Sequence, residues 1–247
     1  MSFLELFGKH PFLGIARGLP MEQAANCADV CESTGLKFIE VPLNTANAAA
    51  SLKKLCEEGK KRGLAVGAGT VITEQDLQMA IDCGAEFIVS PGINADVVKA
   101  CVKKNVPCIP GALTPTEVMQ ASLLGATAVK VFPVSALGGE KYIKELRGPF
   151  KHIPLLACGG VKPENVQAFF DAGCNFVSFG ASVFSVSDME SGNWERIRGG
   201  VSAIFNVLNS ELARSLDEAR EDIENDRDIL RFNSNEDVFN YLDELKK

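Results

Sequence analysis

The sequence contains no C-x-x-C pair and only two histidines, His10 and His152. Zinc needs clustered thiolates and imidazoles, so the eight cysteines (27, 31, 56, 83, 101, 108, 158 and 174) read as small buried hydrophobes in a reducing compartment. Cys27 and Cys31 lie one helical turn apart, but no second ligand pair follows them. No run approaches the roughly 18 apolar residues that span a bilayer. The first residues also lack a basic stretch, an apolar core and a small-residue cleavage site, so a cytoplasmic protein with no membrane partner is expected. There is no G-x-G-x-x-G after the first strand-like run and no G-x-x-x-x-G-K-[ST]. Gly67-Ala68-Gly69 alone is too short to argue for a dinucleotide. Positive charge is scarce as well: the formal net charge is −7, and no basic face for nucleic acid follows from it. Twelve of the 32 acidic residues but six of the 25 basic ones fall in 211–247, which leaves 1–210 close to neutral.

What is present is a regular alternation. Strand-like runs occupy 12–16, 36–41, 64–69, 86–90, 106–109, 127–132, 154–158 and 175–179. Helical spacing fills 21–34, 46–62, 74–83, 94–104, 115–124, 139–146 and 163–172. A short helix over 2–10 precedes them. Gly35, Gly63, Gly84, Gly125 and Gly173 stand where helices end before the next strand, and Thr73 and Thr114-Pro115 stand where helices begin. Eight strands alternating with helices predict a parallel sheet with helical crossovers, closed into a (β/α)8 barrel. With 247 residues, of which 46% are hydrophobic, the chain is long enough to fill one.

Barrel chemistry sits at the C-terminal ends of the strands. Thr127-Ala128-Val129-Lys130-Val131-Phe132-Pro133 is a strand with apolar residues on both parities, interrupted by one lysine. Burial favours a lysine's neutral amine, the form that attacks carbonyl carbon; a lysine that snorkels to the strand end is the other reading. Glu40 interrupts the second strand in the same way. It shares parity with Phe38 and Pro42, as Lys130 does with Ala128 and Phe132, so alternation lets both point into the barrel. The two form either a structural ion pair or a nucleophile with its acid–base partner. Gly159-Gly160 and Gly180-Ala181-Ser182, at the ends of the last two strands, offer backbone N–H groups to a phosphate. A short helix starting near Ser182 would aim its N-terminus at the same anion. Arg17 and Thr70 are placed to complete anion recognition, with Arg17 as a plain surface residue the alternative.

Taken together, Glu40-Val-Pro-Leu-Asn-Thr, Val66-Gly-Ala-Gly-Thr-Val, Phe87-Ile-Val-Ser-Pro-Gly, Ile109-Pro-Gly-Ala-Leu-Thr-Pro-Thr-Glu, Val129-Lys-Val-Phe-Pro and Gly138-Gly139 resemble the class I KDPG/KHG aldolases. The resemblance runs from about residue 10 to 210. It implies a TIM-type (β/α)8 barrel that cleaves 2-keto-3-deoxy-6-phospho sugar acids to pyruvate and an aldehyde. It also implies Lys130 as the Schiff-base lysine and Glu40 as general acid/base. Thr70 and Phe132 would lie near the pyruvate moiety, Arg17, Asn44 and Pro91 would also contact substrate, and Gly159, Gly160, Gly180, Ala181 and Ser182 would hold phosphate. A homotrimer, no metal or other cofactor, and oxaloacetate decarboxylation as a side activity are implied too. In gluconate-type members the segment is similar to E-x-T-L-R-T. Here it reads E-V-P-L-N-T, with Asn44 at the arginine position, which looks more like the phosphogalactonate enzymes. A non-catalytic phosphosugar-acid sensor is the alternative from another class, but it has little use for a buried amine.

The resemblance stops near 210, making 1–210 one domain and 211–247 an acidic extension. Residues 212–228 and 232–245 show helical spacing, the second with an apolar stripe at Val238, Phe239, Tyr241, Leu242 and Leu245. The stripe reads as packing on the barrel or a neighbouring subunit, or as a docking surface for another protein.

Overall fold

The computed structural model describes residues 2–207. The expected boundary at 210 and both helices of the acidic extension lie outside the described residues. Helix α1 (Phe3–Lys9) opens the chain behind a capping box, in which Ser2 and Glu5 exchange side-chain and backbone hydrogen bonds. Then follow β1 (Phe12–Ile15), α2 (Ala24–Thr34), β2 (Phe38–Pro42), α3 (Ala48–Arg62), β3 (Ala65–Gly69), α4 (Glu74–Asp82), β4 (Phe87–Val89) and α5 (Ala95–Lys103). The second half comprises β5 (Cys108–Ile109), β6 (Gly111–Ala112), α6 (Pro115–Leu123), β7 (Val129–Val131), α7 (Glu140–Arg147), β8 (Leu155–Cys158), α8 (Val166–Asp171), β9 (Phe176–Phe179) and α9 (Val186–Ser191). Residues 194–207 are again helical.

All strand pairs are parallel, in the order β5-β4-β3-β2-β1-β9-β8-β7-β6. The two ends of that order, β5 and β6, are halves of one stave, so the sheet closes on itself. The sequence predicts this stave as a strand ending at Ile109. It instead resumes after Pro110, which has no N–H to give to the ladder but whose carbonyl accepts from Lys130 N at 2.9 Å. Eight staves joined by seven helical crossovers, with α9 following the last strand, therefore match the expected barrel. Thr73 and Thr114 cap α4 and α6 through capping boxes, as their positions predict.

Inside the barrel the two ends differ. At the N-terminal end, Phe7 of α1 inserts between Phe176, stacked on it at 4.0 Å, and Phe38 at 4.6 Å. With Leu13, Phe87, Ala128 and Leu156 they form one buried cluster, and α1 acts as its plug. Each such ring contributes about 1.5–3 kcal/mol by leaving water. One layer up, the same inward parity carries Glu40, Lys130, Cys158 and Ser178 instead of hydrocarbon. No helix among the described residues is long and apolar enough to cross a membrane.

Candidate active site

Lys130 is 7% exposed and Glu40 2%, and both line a cavity of about 630 Å³ at the C-terminal mouth. Their place follows from register. Glu40 pairs with Gly67 on β3, and Lys130 pairs with Gly111 on β6 and Leu156 on β8, so each projects inward one step above the apolar layer. Gly69 leaves room for the carboxyl group and Gly67 for the Phe87 ring. A Cβ on Gly69 would lie 2.1 Å from Glu40 Oε2, and one on Gly67 would lie 2.3 Å from the Phe87 ring. The short Gly67-Ala68-Gly69 run is thus a spacing device for a neighbouring strand.

Glu40 Oε2 is buried without a hydrogen-bond partner, and no ion pair joins Glu40 to Lys130 among the described residues. The structural ion pair, one of the two readings of the sequence, is not what forms. Burial raises the Glu40 carboxyl above its ordinary range, while Lys130 and then Arg17 oppose the shift. Lys130 Nζ lies 4.9 Å from the centroid of the Phe132 ring, so the aromatic face meets the amine across one strand repeat. An acid held toward its protonated form beside a lysine amine suits carbonyl chemistry, where one proton must be both given and taken.

Of the residues singled out in the sequence, Arg17, Thr70, Pro91, Phe132, Gly159, Gly160, Gly180, Ala181 and Ser182 all line this cavity. Asn44 does not. Its side-chain carbonyl accepts a hydrogen bond from Arg17 Nη1. Thr70 holds φ 57°, a left-handed conformation unusual for a β-branched residue, at the end of β3. Ser182 departs from expectation. It lies in a turn over 181–183, and α9 begins only after Ser185, whose hydroxyl accepts from Asp188 N. The cause is local: Val183 N and Phe184 N both donate to Gly180 O at 2.8 Å, which closes a turn before a helix can start. The Ser182 hydroxyl itself donates to Val161 O at 3.1 Å, stitching the loop after β9 to the loop after β8.

The sequence reading misses Cys158, Ser178 and Lys162, which also line the cavity. Cys158 and Ser178 are register partners on β8 and β9 and share inward parity with Leu156 and Phe176. The same alternation that finds Glu40 would have found them. Burial raises the Cys158 thiol, opposed first by Lys130 and then by Ser178. Among the described residues no group of three or more His, Cys, Asp or Glu side chains is placed to hold a metal ion.

The family model for KDPG and KHG aldolase matches residues 9–199. The chain is 32% identical over 182 residues to a 2-dehydro-3-deoxy-phosphogluconate aldolase of Haemophilus influenzae, covering 73% of this chain and 84% of that protein. It is also 32% identical over 177 residues to the 2-dehydro-3-deoxy-6-phosphogalactonate aldolase of Escherichia coli K12, covering 71% and 85%. A native KDPGal structure superimposes with a TM-score of 0.76 at 28% identity, covering 82% of this chain and 96% of its own. A KDPG aldolase of Legionella pneumophila, with pyruvate captured as a covalent carbinolamine, gives 0.76 at 26%, covering 83% and 98%.

Proposed function

The chain belongs to the KDPG and KHG aldolase family and is a lyase, and on that premise we propose that it reversibly cleaves 2-dehydro-3-deoxy-6-phosphogalactonate to pyruvate and glyceraldehyde 3-phosphate. The neutral amine of Lys130 adds to the C2 ketone, and the carbinolamine loses water to give an iminium. The iminium then accepts the electron pair of the breaking C3–C4 bond as the C4 hydroxyl gives up its proton. The aldehyde leaves, and the remaining enamine is protonated at carbon and hydrolysed to pyruvate. Glu40 carries these protons, directly or through one water. Burial raises its proton affinity above that of an ordinary glutamate, which suits a group that must hold a proton before giving it up.

The observation that carries this reading is the buried Glu40 carboxyl, whose Oε2 has no hydrogen-bond partner, in the same cavity as Lys130. An ion pair kept for stability would use that oxygen; a proton shuttle needs it free. Arg17, braced by Asn44, takes the substrate carboxylate, with Thr70, Pro91 and Phe132 around the pyruvate moiety. Gly159, Gly160, Gly180, Ala181 and Ser182 form the phosphate cradle. The N–H groups of Gly160, Ala181 and Ser182 have no hydrogen-bond partner among the described residues, which supports this assignment. Asn44 in place of a second arginine favours the galactonate epimer over the gluconate one, for which the enzyme would otherwise be a KDPG/KHG aldolase. We propose a cytoplasmic homotrimer, with residues 1–210 as the aldolase barrel and 211–247 as an acidic extension.

Pyruvate release from each phosphorylated epimer, followed with a coupled dehydrogenase, tests the substrate. Higher kcat/KM on the galactonate epimer is expected. A preference for the gluconate epimer overturns that choice, and turnover of neither overturns the reading.

A further inference from the structure

The cavity wall carries three cationic side chains, Arg17, Lys130 and Lys162, against one carboxyl group, Glu40. In the reading above Lys130 is consumed by the ketone and Arg17 by the carboxylate. The phosphate cradle then consists of neutral backbone N–H groups and a Ser182 hydroxyl whose proton is directed at Val161 O. We infer that Lys162 supplies the missing charge and makes this site select phosphorylated over unphosphorylated substrates, an inference that rests on the proposed aldolase reaction.

Three observations place it. First, Lys162 is exposed on the cavity wall and forms no ion pair among the described residues. Its charge is therefore available to a ligand.

Second, its backbone is fixed. Lys162 N donates to Asn165 Oδ1 at 2.8 Å, and its carbonyl accepts from Asn165 N at 3.1 Å and Val166 N at 3.0 Å. Asn165 Nδ2 returns to Gly160 O at 2.9 Å. One asparagine thus ties the lysine to the glycine turn, and only the flexible stem is left to find the anion. That suits a strongly hydrated point charge aimed at a phosphate better than it suits a structural residue.

Third, Lys162 sits at the cradle end of the cavity, next to Val161 and two residues from Gly160. Its reach to the phosphate does not require it to enter the chemical layer around Glu40.

The test compares wild type with Lys162→Met, which keeps the stem, and Lys162→Arg, which keeps the charge. With the phosphorylated keto acid, kcat/KM of the methionine variant should fall about tenfold, largely through KM, as expected for losing a charged hydrogen bond. With the unphosphorylated analogue, and in pyruvate trapping by borohydride, it should match wild type. Arginine should restore most of the loss. The gap between wild type and the methionine variant should narrow at high salt.

Unchanged kcat/KM on the phosphorylated substrate overturns the inference. So does an equal loss on both substrates, which marks a loop-positioning role. Binding of inorganic phosphate, followed by phosphorus NMR, needs no turnover and keeps the two proposals separable. If wild type neither traps pyruvate nor cleaves substrate, the aldolase reading fails. The Lys162 assignment then stands or falls on whether the methionine variant weakens phosphate binding about tenfold.

Discussion

The two ends of this barrel are built from the same strands with the same inward parity, yet they are opposite environments. At the N-terminal end, Phe7, Phe38, Phe87 and Phe176 fill the lumen and α1 seals it. At the C-terminal end the next inward positions hold Glu40, Lys130, Cys158 and Ser178, and the space above them stays open. The lower layer gains by leaving water. The upper layer loses by it, since a buried carboxyl with an unpartnered oxygen is destabilising in its ionised form. The difference teaches where this fold spends its stability: hydrocarbon at one end holds polar groups in place at the other. Mutations should therefore separate into those that stop the reaction and spare the fold, and those that weaken the fold and spare the reaction.

The largest effect on turnover is expected from Lys130→Ala, a loss on the order of 10⁴-fold or more with an unchanged fold by circular dichroism, because the reaction runs through an imine on this amine. Glu40→Gln should cost about 10²–10⁴-fold in kcat. The same variant should gain stability at neutral pH, and the sign follows from the shift. The folded Glu40 binds its proton more tightly than the unfolded chain does, so its favourable contribution is complete below the ordinary glutamate range. It is lost as pH rises through the raised folded value. Melting curves of the two proteins should accordingly coincide more closely at acidic pH and diverge toward neutrality, with the glutamine variant higher.

Gly69→Ala probes the boundary between the layers. Its methyl would sit 2.1 Å from Glu40 Oε2 and must push the carboxyl aside. About 10²-fold in kcat and about 1–3 kcal/mol of stability should go together. The smallest effect on chemistry belongs to Phe7→Ala. Losing the plug should cost about 3–5 kcal/mol in denaturant titrations while kcat of the folded enzyme stays within a small factor of wild type. A large drop in kcat there would dissolve the contrast between the two ends.

Much of this was legible in the sequence because it is periodic. Eight strand-like runs gave the barrel, and a shared parity carried Glu40 and Lys130 to the same cavity. What escaped detection depends on contacts between segments far apart in the chain. Asn44 reads as a substrate contact, and its side-chain oxygen accepts from Arg17, twenty-seven residues upstream, outside the cavity lining. Ser182 reads as a helix start and anion donor, yet its hydroxyl turns to Val161. Pro110 reads as a strand end, and only the closed sheet shows the stave continuing past it. Cys158 and Ser178 were within reach of the alternation argument. Neither is charged, so neither interrupts its apolar strand as visibly as Glu40 and Lys130 do.

The most direct test of the central claim is the intact mass after incubation with pyruvate and borohydride, followed by peptide mapping. A single reduced pyruvate adduct on Lys130, absent from Lys130→Ala, is the predicted result. A folded protein that gains no adduct, or gains it on another lysine, would contradict the account.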